Sequence, residues 1–132
     1  MRLWHYKLIP VLPRQQLLGG WRECIAIIGS IKKHGTPNHL LVNYVMNYDL
    51  AMFYDYSREV AQEMIDRGYK VNLSKLDPLS SLESGSEVRL LHYLEHDSDY
   101  FKVCYYNLYE KYLRGGIAPL EWDKIASVNE DV

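Results

Sequence analysis

Arg22 and Glu23 follow the paired glycines Gly19 and Gly20 by about one helical turn and lie about twenty residues from the α-amine of Met1. An N-terminal α-amine is the one amine nucleophile whose unperturbed pKa, about 7.7–8.0, falls near physiological pH. A carboxylate held beside it can manage its proton and stabilise a cationic intermediate. The plain alternative is a solvated Arg–Glu ion pair on a helix surface. The glycines sharpen the question, because each costs about 1 kcal/mol relative to Ala in a helix interior. Gly19, Gly20, Glu23, Ile27 and Ser30 share a face of this helix, and something must approach the backbone there. Either another helix packs tightly against the glycines, or the bare surface above Glu23 admits the amino-terminal arm or a ligand.

Two other sets of residues carry chemistry. His92 and His96 stand four apart, which on a helix places both on one side for a metal ion, with His5, His34 or Glu95 as a third ligand. Ordinary surface or core histidines have the same spacing. Tyr100, Phe101, Tyr105, Tyr106, Tyr109 and Tyr112 form an aromatic stripe. Core packing accounts for Phe101, Tyr105 and Tyr112, whereas Tyr106 and Tyr109 fall off that face and can either pack at the surface or stack on unpaired bases.

The elements that must position these residues are helical. An apolar arm at residues 3–9 ends at Pro10 and Pro13, and Pro13 suits the first turn of a helix. Leu17, Trp21, Cys24, Ile28 and Ile31 then recur at spacings of three and four. Lys32, Lys33 and His34 fill the last turn, and Gly35 supplies a left-handed cap. Thr36 and Pro37 predict the start of a shorter helix running to about Asn47. Asp49 caps a clear helix with Leu50, Phe53, Tyr54, Val60, Ala61, Met64 and Ile65 on its inward face, stopped by Gly68 with Tyr69 folding back. Residues 70–86 are rich in turn formers, and 87–95 predicts one short helix. Asp97 or Ser98 caps a last long helix, stopped by Gly115 and Gly116. The expectation is an all-α chain with three main helices and long connections: one compact domain over 1–118, including the arm, and a frayed acidic tail over 119–132.

Composition sets the class. The chain has 132 residues, a one-domain length, and 12 of them are tyrosine. No apolar run approaches bilayer length, and the start lacks a basic-then-apolar signal. Cys24 and Cys104 lack metal spacing and read as reduced core residues of a cytoplasmic protein. The net charge of −2 is uneven. Residues 1–37 carry six cations (Arg2, Lys7, Arg14, Arg22, Lys32, Lys33) against Glu23 alone, while the remaining 95 carry nine cations and sixteen anions. A basic end on an acidic body can present one positive face to phosphate.

The run Leu8…Leu12…Gln15…Leu17…Arg22-Glu23…Gly29…Lys33-His34 resembles, without a gap, the opening of the pyrimidine-dimer DNA glycosylases of the endonuclease V type. Phe53-Tyr54-Asp55 through Asp66-Arg67-Gly68-Tyr69 resembles that family's second helix. Trp4-His5, Leu12-Pro13-Arg14-Gln15-Gln16-Leu17-Leu18-Gly19 and Glu95-His96-Asp97 resemble a bacterial branch of it. The resemblance implies a mostly helical repair enzyme acting on double-stranded DNA that carries a lesion. Such an enzyme excises pyrimidine dimers and nicks the abasic strand through an imine at C1′ of the damaged nucleotide, without metal or cofactor. It assigns Met1 and Glu23 to catalysis and Arg2, His5, Gln15, Arg22, Lys33 and His34 to substrate binding. The chain departs from the pattern at Leu3 and Ala26, where the family carries arginines, and at Arg2, which makes the amine of Met1 the nucleophile. A relative that kept the fold and a basic groove but lost the chemistry is the alternative. Nothing in the sequence demands more than a monomer.

Overall fold

Pro13 closes the amino-terminal segment and leads into the longest helix, α1 (Arg14–His34). The computed structural model describes residues 2–36, 40–80 and 92–128 of the chain. All regular structure among them is helical. Pro13 sits at the N-cap of α1 and makes no side-chain capping bond. The other end closes as the residues dictate: Gly35 takes φ 78°, and its N–H donates to the carbonyl of Ile31. A left-handed φ is nearly free only for glycine.

Helix α2 (Leu50–Asp66) begins where Asp49 accepts a hydrogen bond from the Ala51 amide. It ends at Gly68, φ 87°, with the Tyr69 amide donating to the Met64 carbonyl. Its buried face runs through Phe53, Tyr56, Val60, Ala61 and Met64. Ile65, expected inward, is 40% exposed because it falls about 100° round the helix from Met64, which continues the buried face in the same turn. The Arg67-Gly68-Tyr69 end ties α2 to the start of α1. Arg67 donates to the carbonyls of Leu12 (2.7 Å) and Pro10 (3.2 Å), and the Arg14 guanidinium lies over the Tyr69 ring. Helix α3 (Asp77–Ser80) is a single turn, preceded by a 3₁₀ turn at Leu73–Leu76. Helix α4 (Ser98–Leu113) starts from the Asp97 side chain, which accepts from the Tyr100 amide, and buries Phe101, Cys104, Tyr105 and Leu108.

Three expectations change, and the arm takes a form that the sequence reading left open: Tyr6–Val11 is a 3₁₀ helix that contains Pro10, started by the Nδ1 of His5 accepting from the Lys7 amide at 3.1 Å. An imidazole acting as a local cap carries no helix signal in the sequence. The helix expected after Thr36 is a 3₁₀ segment over Leu40–Asn47, and Pro37 lies outside the described residues. Of the short helix predicted at 87–95, residues 87–91 are outside the described set, and 92–95 form a turn. The tail does not fray where it is described: Pro119–Val128 is helix α5, with Trp122 and Ile125 buried. Trp122 stacks on Tyr112 at 5.1 Å and 5° and leans on Tyr105 and Tyr109, so three tyrosines of α4 hold the tail in place. Tyr109 is thereby engaged, whereas Tyr106 is 60% exposed and touches Tyr105 by one ring edge.

The amino-terminal arm runs through this framework. Leu3, Trp4 and His5 are all buried, and Trp4 lies against Gly20 of α1. Of the two glycines, Gly20 is therefore the one the arm approaches. A Cβ built there lies 3.5 Å from Trp4 Cδ1, an ordinary contact. Gly20→Ala is expected to raise the thermal midpoint by roughly 3–5 °C through about 1 kcal/mol of helix propensity. Gly20→Leu, which must displace Trp4, is expected to cost about 1–3 kcal/mol. Thermal unfolding of the two variants checks this, and equal midpoints would contradict the seating of Trp4.

Candidate active site at the amino-terminal arm

The backbone amide of Arg2 donates to Glu23 Oε2 at 3.4 Å, which brings residue 2 to the carboxylate. Tertiary structure alone creates this approach between residues 21 apart in the chain. Met1, which precedes it in the chain, lies outside the described residues. Three helices hold the arm at this point. Trp4 rests on α1 at Gly20; Tyr56 of α2 donates to the Trp4 carbonyl at 2.7 Å; Tyr100 of α4 donates to the Leu3 carbonyl. A buried carbonyl without a partner costs about 1–3 kcal/mol, so each phenol satisfies a group the arm could not otherwise bury. Lys111 of α4 places Nζ 6.0 Å from the Trp4 ring, on the flank of the same arm.

Glu23 is half-buried and Arg22 exposed. The Arg22 guanidinium leans back over Gly19, with Nη2 3.9 Å from where a Cβ would stand. On an α-helix, Gln15, Arg22 and Lys33 fall within about 20° of one line. All three are exposed in α1, with Ala26 and Gly29 between them also exposed. The stripe is low and polar, and its ends are about 27 Å apart at 1.5 Å per residue. His34 is exposed in the last turn and, eleven residues on, shares the Glu23 side of α1 about 16 Å away.

Burial raises the phenol pKa of Tyr100, and the Arg2 charge opposes that rise in part. Burial likewise raises the Cys104 thiol, with Arg2 among the opposing groups. His5 is only 2% exposed, stacked on Tyr6 at 4.6 Å and edge-on to Phe101 at 5.3 Å. Its pKa is lowered, chiefly by burial. The imidazole is enclosed by these rings and shapes the arm from the core. Cys24 and Cys104 are free and buried, as read from the sequence.

The histidine pair does not form the arrangement that helical spacing predicts. With a turn between them, His92 stacks on Tyr6 at 3.5 Å and faces Glu59 at 3.4 Å, while His96 turns inward to share a 2.7 Å hydrogen bond with Tyr44. Among the described residues, no group of three His, Cys, Asp or Glu side chains is arranged to hold a metal. The cleft of about 300 Å³ bounded by His5, Tyr6, Lys7, His96 and Phe101 includes neither Arg2 nor Glu23.

Burial, followed by the nearby His5 and His92, lowers the His96 pKa from 6.5 to about 3. The folded chain therefore keeps this ring neutral where the unfolded chain takes up a proton. The resulting stability is full above about pH 6.5 and is lost as pH falls toward 3, by up to about 1.4 kcal/mol per unit. Guanidinium midpoints at pH 7, 5.5 and 4 are expected to fall steadily, and more steeply than in His96→Phe. Parallel slopes for the two proteins would remove His96 as a source.

The pyrimidine dimer DNA glycosylase family model matches residues 1–77. Comparisons with curated proteins and with solved structures give no match. No described helix is long and apolar enough to cross a membrane. The matched residues contain the arm, Gly20, the Arg22-Glu23 pair and the Arg67-Gly68-Tyr69 end of α2, while α4 with Tyr100 lies beyond them; the match spans more than half of the 132 residues, and the chain belongs to the pyrimidine dimer DNA glycosylase family.

Proposed function

We propose that this protein excises damaged pyrimidines from double-stranded DNA and cleaves the resulting abasic strand through an imine formed by the Met1 amine. The approach of the Arg2 amide to Glu23 Oε2 at 3.4 Å carries this reading. Consecutive Cα atoms are about 3.8 Å apart, so the Met1 amine is within one residue's reach of the carboxylate. Family membership supports the DNA substrate and the glycosylase class.

The neutral amine attacks C1′ and forms the N–C bond as the glycosidic bond breaks, and the departing base takes that bond's electron pair. Transfer of a proton from nitrogen to O4′, as the C1′–O4′ bond breaks and the sugar ring opens, gives the protonated imine and a 4′-hydroxyl. Glu23, as carboxylate, stabilises this cation and accepts protons. Removal of a C2′ proton then expels the 3′ phosphate by β-elimination, and water releases the enzyme. Arg22, Gln15 and Lys33 bind the phosphate backbone along the exposed stripe of α1, whose length of about 27 Å matches roughly eight base-pair steps. Such contacts position the duplex, while the deformability of the lesion provides selectivity.

Borohydride trapping of the tag-free protein, with its N-terminus verified by mass spectrometry, on a duplex carrying one abasic site and then one thymine dimer tests this. The expected result is a covalent adduct mapped to the Met1 amine, with Glu23→Gln lowering its rate of formation by about 10²–10⁴-fold. Salt-sensitive binding without any adduct would instead mark a non-catalytic DNA-binding relative.

A further inference from the structure

Three consecutive residues of the arm are held by three different helices. The Arg2 amide meets Glu23 of α1, the Leu3 carbonyl accepts from Tyr100 of α4, and the Trp4 carbonyl accepts from Tyr56 of α2. Leu3, Trp4 and His5 are at most 8% exposed, so the arm cannot slide without uncovering apolar surface or stranding a carbonyl. Apolar packing tolerates small shifts, whereas a hydrogen bond fixes an atom to within a few tenths of an ångström. Of the two phenols, that of Tyr100 acts closer to Glu23, on the residue directly after Arg2.

We propose that Tyr100 is a positioning residue: its hydroxyl, bound to the Leu3 carbonyl, sets the register of the amino-terminal arm against Glu23. The surroundings suit that task. The Tyr100 ring stacks on His96 at 5.0 Å and 29° and leans on His5 at 6.4 Å, so the phenol cannot swing away. His96 is fixed in turn by Tyr44 of the 3₁₀ segment. Burial raises the Tyr100 phenol pKa, which keeps its O–H a donor throughout the physiological range. Tyr56 supports the same arm one residue further in and does not replace Tyr100, because it holds a different carbonyl. The proposal rests on the imine reading for its catalytic consequence, but the anchoring of the arm can be read without DNA.

Tyr100→Phe keeps the ring and removes the hydroxyl. Two measurements on the full chain decide the matter: amide hydrogen exchange followed by NMR, and single-turnover borohydride trapping alongside DNA affinity. The amides of residues 2–5 are expected to exchange about tenfold or more faster, with α2 and α4 protected as in the native chain. Trapping is expected to slow by about 10- to 100-fold, because a displacement of about 1 Å at a reacting atom has that effect, while affinity for the duplex stays within about twofold. A merely structural role would instead raise exchange throughout the chain. Arm exchange as slow as in the native protein, or trapping and affinity falling together, overturns the proposal. If the native chain never traps DNA yet the variant loosens the arm alone, the imine reading fails and the anchoring stands. Should Tyr100→Phe not fold, the native chain supplies the test by NMR: a Tyr100 hydroxyl proton protected from exchange and coupled to the Leu3 carbonyl carbon supports the anchoring, and a rapidly exchanging phenol overturns it.

Discussion

The structure depends on one constraint: a short apolar arm must be buried together with its backbone. Leu3, Trp4 and His5 enter a space bordered by α1, α2 and α4, where apolar burial is favourable but unpaired carbonyls are not. Tyrosine resolves that conflict, since a phenol contributes apolar surface along its ring and a donor at its tip. Tyr56 and Tyr100 each fill part of the core and end on a carbonyl of the arm. Gly20 completes the seat by leaving room for the Trp4 ring on α1. What emerges at the surface end is the Arg2 nitrogen against Glu23.

A second layer of aromatic and imidazole rings stands behind the arm. His5, Tyr6, His96, Tyr100 and Phe101 contact one another at centroid distances of 4.6–6.4 Å. The histidines serve here as flat, neutral, hydrogen-bonding rings. That role requires them to remain uncharged, and burial enforces it. The tyrosine content serves the same purpose at the other end of the molecule, where Tyr105, Tyr109 and Tyr112 clasp Trp122 and fix α5.

The charge pattern suits a surface that meets DNA along one edge. Arg22 and Lys33 stand on the exposed side of α1, and Lys32 and His34 crowd its carboxyl end, where the helix dipole favours them. Along the sequence, the basic amino-terminal third is followed by 95 residues carrying sixteen anions and nine cations, so net positive charge is concentrated in the segment that forms the arm and α1.

Local signals in the sequence determined the helices that end in their own caps. Gly35, Asp49, Gly68 and Asp97 act within one turn of themselves, and their side chains or positive φ values stop or start α1, α2 and α4 wherever the rest of the chain goes. The Arg22-Glu23 pair and the bare glycines beside it were equally legible, because helical geometry alone sets which side chains share a face. Tertiary structure decided what met that face. The partners of Tyr56 and Tyr100 lie 52 and 97 residues away, and no periodicity encodes a phenol meeting a particular carbonyl. The same holds for the histidines, whose spacing fits a metal on a helix until a turn separates them and the core takes His96. It holds too for α5, which is ordered because Trp122 finds three tyrosines on α4. Caps and faces are short-range and can be read along the chain, whereas the seating of an arm or a tail depends on surfaces that exist only after the helices have packed.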